Sequence, residues 1–132
     1  MKYKYKNYEG KIRVPVAATT SINAGDFVCA DGSTGGAVPG NDASGYLFLG
    51  IAAHGADNST GDLGDVLIEI IVSGLFLLVG DGNFAITDNG ATAYISGAQE
   101  TAPVAQVSNN VILGIIKKFV ADDSVWVEIG RF

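Results

Sequence analysis

Residues 66–79 read Val66-Leu67-Ile68-Glu69-Ile70-Ile71-Val72-Ser73-Gly74-Leu75-Phe76-Leu77-Leu78-Val79. This is the longest apolar stretch of the chain, and how it is read decides the fold. A membrane helix needs about 20 consecutive apolar residues, and this run is shorter and interrupted by Glu69, Ser73 and Gly74. It is also too long for one twisted strand. Glycine inside a strand marks a bend or a break, so Ser73-Gly74 is expected to divide the stretch into two strands.

The same logic extends in both directions. Upstream, Ile12, Val14 and Val16 alternate with Arg13, Pro15 and Ala17, and Pro15 places that run at a sheet edge or a strand start. Residues 26–30 follow the Asn23-Ala24-Gly25 turn. Residues 46–53 form a continuous apolar run, the pattern of a strand covered on both faces. Downstream, residues 91–96, 111–120 and 124–129 complete the set. Residues 31–44 and 54–64 are rich in Gly, Asp, Asn and Ser and read as loops. No amphipathic helix of three turns is found. The chain has 18 glycines in 132 residues, roughly twice the usual share of about 7%. Glycine costs a helix interior about 1 kcal/mol per residue, so turns between many short strands are its natural use here.

The body also echoes itself. Leu49-Gly50-Ile51 leads through a polar loop to Val66-Leu67-Ile68-Glu69-Ile70. Leu113-Gly114-Ile115 leads through a shorter, acidic turn to Val125-Trp126-Val127-Glu128-Ile129. Phe27-Val28 and Tyr94-Ile95 stand in comparable places upstream. Two similar β-hairpin units closing around one core are expected, giving an all-β small barrel-like or sandwich domain with few exposed edges.

Composition narrows the function. A chain of 132 residues is expected to form one domain and to bury about two-thirds of its unfolded surface. Charged residues are only 17%, against about 25% in ordinary domains. Cys29 stands alone, which excludes an intramolecular disulfide and reads as a small apolar strand residue. The basic start is not followed by an apolar h-region, so a soluble protein made in the cytoplasm is expected.

The charge is unevenly placed. Residues 1–13 carry five bases and one acid, a net +4, and the other 119 residues carry three bases and thirteen acids, a net −10, giving −6 overall. Residues 1–13 therefore read as an extended basic arm and residues 14–132 as a single β domain. If the arm is extended, Lys2, Lys4 and Lys6 point one way and Tyr3 and Tyr5 the other. Such a segment can add as a strand to a partner's sheet, its tyrosines filling pockets. A disordered terminus and a nucleic-acid arm, with lysines on phosphate and tyrosines stacked on bases, remain open. The acidic body disfavours nucleic acid and anionic membranes.

The body shows little catalytic equipment. His54 lies at a loop start with no nucleophile elbow in the chain, and is expected to be solvated or structural. The acid-rich loop from Asp57 to Asp65 lacks the spacing and the bidentate Glu of a calcium loop, so a solvated turn is expected. Asn58-Ser59-Thr60 fits a glycosylation sequon, which has no meaning outside a secretory pathway. No phosphate loop is present, and Lys117 and Lys118 sit on a strand. Glu69 and Glu128 hold matching places in the two units. Paired carboxylates serve glycoside hydrolysis, but outward strand positions need no such role. No enzyme activity, cofactor or metal is expected.

Ala24-Gly25-Asp26-Phe27-Val28, Leu49-Gly50-Ile51-Ala52, Gly64-Asp65-Val66, Val72-Ser73-Gly74-Leu75-Phe76, Leu113-Gly114-Ile115 and Val125-Trp126-Val127-Glu128-Ile129 form an ordered series over roughly residues 14–130. The series resembles the small head-decoration, or capsid cement, proteins of tailed bacteriophages. The resemblance implies a β-tulip or barrel-like module and a homotrimer on the capsid exterior. Its partner would be the major capsid protein, whose lattice it stabilises after synthesis in the host cytoplasm. It implies no catalytic residue. Lys2, Tyr3, Lys4, Tyr5, Lys6, Tyr8, Lys11 and Arg13 are the expected capsid-binding residues, with the tyrosines as anchors. Two rival expectations are a small ligand- or saccharide-binding barrel, with a cleft where Glu69 or Glu128 meets His54, and a nucleic-acid-binding module acting through the arm.

Overall fold

The computed structural model describes residues 10–130. Its strands in chain order are β1 (Lys11–Pro15), β2 (Thr20–Ile22), β3 (Phe27–Asp31), β4 (Ala37–Pro39), β5 (Tyr46–Ala52), β6 (Ala56–Asn58), β7 (Leu67–Ile71), β8 (Gly74–Val79), β9 (Thr92–Gly97), β10 (Glu100–Ala102), β11 (Ile112–Ala121) and β12 (Ser124–Ile129). Two short 3-10 turns, Ile86–Asp88 and Val104–Gln106, are the helical segments among the described residues. The protein is all-β, a small sandwich-like domain.

The stretch 66–79 divides at Val72-Ser73, and its two halves enter different sheets. β7 lies in a sheet of order β1-β7-β5-β3-β4, and β8 lies in a sheet of order β8-β12-β11-β9-β10. The two orders are the same pattern: first, last, fourth, second and third strand of each five. The strand pairs in both sheets are antiparallel. Each sheet also curls so that the residue just past its first strand makes a parallel bridge near its third, Val16 with Ala37 and Gly80 with Thr101. The echo in the sequence is thus a repeat of topology. The remaining strands, β2 and β6, pair with each other as a separate ribbon.

The repeated Leu-Gly-Ile has a physical cause. A Cβ built on Gly50 would sit 2.5 Å from the Ile71 carbonyl oxygen, and one on Gly114 would collide with the Glu128 carbonyl oxygen. In both units only glycine lets the neighbouring backbone approach. Irregular register accompanies both places, between Val28 and Cys29 against β5 and between Ile112 and Gly114 against β9, as expected where a bulge re-aims a strand.

The expected single core is instead two clusters. Val28, Ala52, Ile68 and Ile70 of the first sheet pack with Ile22 and Ala56 of the β2–β6 ribbon. Phe27, Cys29 and Ile51, from the opposite face of that sheet, pack with Ile95, Leu113, Val127 and Ile129 of the second sheet. The reason lies in loop length. The first unit carries residues 53–66 between β5 and β7, enough to build β6, whereas β11 and β12 are joined by Asp122-Asp123 alone. Full burial of an Ile or Val side chain contributes about 1.5–3 kcal/mol, so both clusters matter to stability.

Other expectations meet the structure as follows. Pro15 does lie on an edge strand, β1. β5 is fully buried only over Gly50–Ala52; at its start Tyr46 and Phe48 pack against the second sheet's cluster, while Leu47 between them, alternating to the other face, is 66% exposed. The loops 31–44 and 54–64 each contain a three-residue strand, β4 and β6, too short for periodicity to reveal. Lys11, Ile12 and Arg13, grouped with the arm by charge, belong to β1 and pair with Ile71, Ile70 and Glu69.

Gly114→Ala is expected to lower unfolding stability by about 2 kcal/mol through its backbone clash, read from urea unfolding. Gly55→Ala, where a Cβ finds only ordinary contacts from 3.5 Å, is expected to stay within about 0.5 kcal/mol of the parent.

Candidate interaction surface

Most of the polar groups that could carry chemistry are engaged in holding turns. His54 lies beside Glu69, but through the backbone: its Nε2 accepts from the Glu69 N–H at 3.2 Å, and its Nδ1 lies 2.8 Å from the Gly55 carbonyl oxygen. Both ring nitrogens are satisfied with the proton on Nδ1. Glu128 sits on the other sheet, where Lys117 lies 3.5 Å from its carboxylate. In the acid-rich loop, Asp57 accepts from the Ser59 N–H and Asp65 from the Asp62 N–H. The hydroxyl and N–H of Ser59 hold the Asp57 carboxyl below the usual range. Among the described residues no group of three or more His, Cys, Asp or Glu could hold a metal.

Asn58 is a residue whose role sequence reasoning missed. It is 2% exposed, and its Nδ2 lies 3.3 Å from the Val16, 3.0 Å from the Ala17 and 2.9 Å from the Asp62 carbonyl oxygen. The sequon asparagine is therefore the internal tie of its loop. Cys29 is fully buried, and burial pushes its thiol up to about 11, which leaves it unreactive at neutral pH.

Polar contacts at several places lock the two units together. The Phe27 N–H donates to the Ala98 carbonyl at 2.6 Å. Gln99 Nε2 donates to Asp26 Oδ1 at 2.9 Å. The Asp42 carboxylate accepts from the Ser108 and Asn109 N–H groups, both at 2.8 Å. With all of this in place, no buried side-chain nitrogen or oxygen among the described residues lacks a partner.

What remains unsatisfied is apolar. Residues directly opposite on antiparallel strands share a face, and Val125, Val127 and Ile129 point inward. Their alternates therefore point out. On that outer face Leu75 stands opposite Glu128, Leu77 opposite Trp126 and Val79 opposite Ser124. Leu75 is 54%, Leu77 51% and Val79 62% exposed. Ile112, opposite Tyr94, extends the apolar character to β11 and β9. Ile112 also lines a cleft of about 300 Å³ with Tyr46, Leu47, Phe48, Asn110 and Val111. Exposed apolar side chains grouped on one strand face, as Leu75, Leu77 and Val79 are, mark an interaction site.

The sequence pointed elsewhere, to the arm. Lys11 and Arg13 are exposed on β1. Lys2, Tyr3, Lys4, Tyr5, Lys6 and Tyr8 lie outside the described residues. The signal for the sheet face was present in the alternation of β8 and β12, but alternation does not say which face stays uncovered. No helix among the described residues is long and apolar enough to cross a membrane. Comparison of the chain with protein-family models, curated proteins and solved structures found no match.

The Ser108 N–H, opposed by slight desolvation and assisted by Asn109, holds the Asp42 carboxyl below its usual value. A lowered folded-state value means the contact contributes stability above the ordinary carboxylate range near pH ~3.9 and loses it as pH falls through the folded value. The backbone amide resonances of Ser108 and Asn109 are expected to shift in that acid window and not near neutrality. Asp42→Ala is expected to produce the shifted positions at neutral pH, with a small stability loss because the group is solvent-screened.

Proposed function

We propose that this chain is a non-enzymatic capsid decoration protein of a tailed bacteriophage, which binds the outside of the major capsid protein lattice and stabilises the head. The observation that carries the reading is the apolar outer face of the second sheet, which nothing among the described residues covers: Leu75, Leu77, Val79 and Ile112 are exposed and Trp126 is partly exposed. A domain that otherwise satisfies its buried polar groups gains from leaving such a face open only if other proteins cover it. The ordered glycine-and-strand series that resembles the cement proteins supplies the identity of those proteins. A homotrimer on the virion exterior is part of the same proposal, because neighbouring copies would cover part of this surface.

The basic arm completes the proposal. Lys2, Lys4, Lys6, Lys11 and Arg13 would meet acidic capsid surface, and Tyr3, Tyr5 and Tyr8 would anchor in apolar pockets. Many copies on one shell make weak individual contacts avid. The engaged His54 and the separation of Glu69 and Glu128 onto different sheets favour this binding role over saccharide chemistry.

The test is binding of purified protein to expanded capsids and to procapsids of the phage that encodes it. Occupancy on expanded capsids alone is expected. Leu77→Lys is expected to lower that occupancy by roughly tenfold or more, as loss of a central apolar contact does, while thermal unfolding stays near the parent's. Equal occupancy by the parent and Leu77→Lys on expanded capsids overturns the assignment of this face, and absence of binding by the parent overturns the function.

A further inference from the structure

We propose that Asn89-Gly90 is a latent deamidation site, which its hydrogen bonds to β11 hold inert and which converts to aspartate or isoaspartate when the turn around it opens. This goes beyond the capsid reading and does not depend on it.

The reaction needs only these two residues and water. The Gly90 backbone nitrogen loses its proton and attacks the Asn89 carboxamide carbon, ammonia leaves, and a cyclic succinimide forms. Water then opens one of the two ring carbonyls. One opening leaves aspartate in a normal chain, and the other routes the main chain through the side-chain carbons as isoaspartate. Glycine has no Cβ to hinder the attacking nitrogen, and Asn89 is the one asparagine of the chain that glycine follows. Both residues are exposed, so water reaches them.

The fold holds the pair apart. Asn89 ends the 3-10 turn Ile86–Asp88, which lies against β11. β11 pairs with β9 only from Ile112 to Ile115, and the 89–91 segment then takes over. The Ile116 N–H donates to the Ala91 carbonyl at 2.8 Å, and the Gly90 N–H donates to the Ile116 carbonyl at 2.7 Å. The Phe119 N–H donates to Asn89 Oδ1 at 2.7 Å, so the carboxamide stands in for a backbone carbonyl beside β11. That last bond polarises the carboxamide towards attack, so placement is what keeps it inert. Ring closure needs the Gly90 nitrogen beside the Asn89 Cβ, and at the observed ψ of 127° it is turned well away. Rotating it into place turns the Gly90 peptide and breaks the bond to Ile116. Attack therefore requires the turn to open.

Conversion then fixes the opening. The aspartate product keeps an oxygen for the Phe119 N–H. The isoaspartate product lengthens the main chain before Gly90 and makes the oxygen that faced Phe119 a main-chain carbonyl, so the contacts to Ile116 and Phe119 lose their present spacing.

Mass spectrometry of the proteolytic peptide containing residue 89, with its aspartate and isoaspartate forms separated by chromatography, tests this on the whole chain. In mildly alkaline buffer the folded protein is expected to convert at least ~100-fold more slowly than the same chain in urea, matching the slowing of Gly90 amide exchange, because both wait for local opening. Asp88 Oδ2 accepts from the Ala85 N–H at 2.8 Å and ties the turn. Asp88→Ala is expected to speed folded-state conversion and Gly90 exchange together, by about fivefold as loss of a turn cap does, with no change in urea. Conversion as fast in the folded protein as in urea overturns the inference. So does conversion slowed far less than Gly90 exchange, because the pair then reacts in place, and so does conversion that stays at the parent rate in Asp88→Ala while Gly90 exchanges faster.

Discussion

The packing of Phe27, Cys29 and Ile51 against Ile95, Leu113, Val127 and Ile129 is the contact on which the rest of the molecule depends. It joins the two five-stranded sheets through one face of the first and the concave side of the second. Phe27 and Phe48 meet edge to face within it, with ring centroids 6.3 Å apart and planes at 89°. The interface commits β3 and β5 to bury residues on both faces, since Val28 and Ala52 fill the other cluster. The polar ties from Ala98, Gln99, Ser108 and Asn109 then fix how the units sit on one another.

From that contact follows the asymmetry of the surface. Ile68 and Ile70 in the first unit and Val127 and Ile129 in the second occupy matching places, but they are covered by different things. The β2–β6 ribbon covers the first pair, and the first sheet itself covers the second. The outer face of the second sheet has no third layer among the described residues to cover it. An apolar face left at the end of a stack of repeats is the usual place for a cap or a partner, and Leu75, Leu77 and Val79 stand there.

The edges show the same division. β1 carries the charges and the proline that keep an edge solitary, and β8 carries apolar residues throughout. One chain thus holds a protected edge and an inviting one at equivalent positions. Among the described residues, the apolar edge strand β8 also contributes Leu75, Leu77 and Val79 to the uncovered face.

Much of this was legible in the residues. The division of the 66–79 stretch next to Gly74, the edge position of Pro15, the longer strands and the repeat of Leu-Gly-Ile were all readable, because alternation and glycine act within a few neighbours of the chain. The apolar role of Cys29 and the structural role of His54 were readable for the same reason. The three-residue strands β4 and β6 were not, being shorter than any period, and the burial of Asn58 was not, because two of its three acceptors, the Val16 and Ala17 carbonyls, come from a distant segment. By itself, then, the sequence determined that this is an all-β protein of two similar units with a basic, tyrosine-rich start. Only the tertiary structure decided that the units stack face to interior, with two clusters instead of one core, and that the face of Leu75, Leu77 and Val79 is the one left uncovered among the described residues. The physical reason is that alternation marks two faces on every strand, and only contacts between distant strands select which of them is buried.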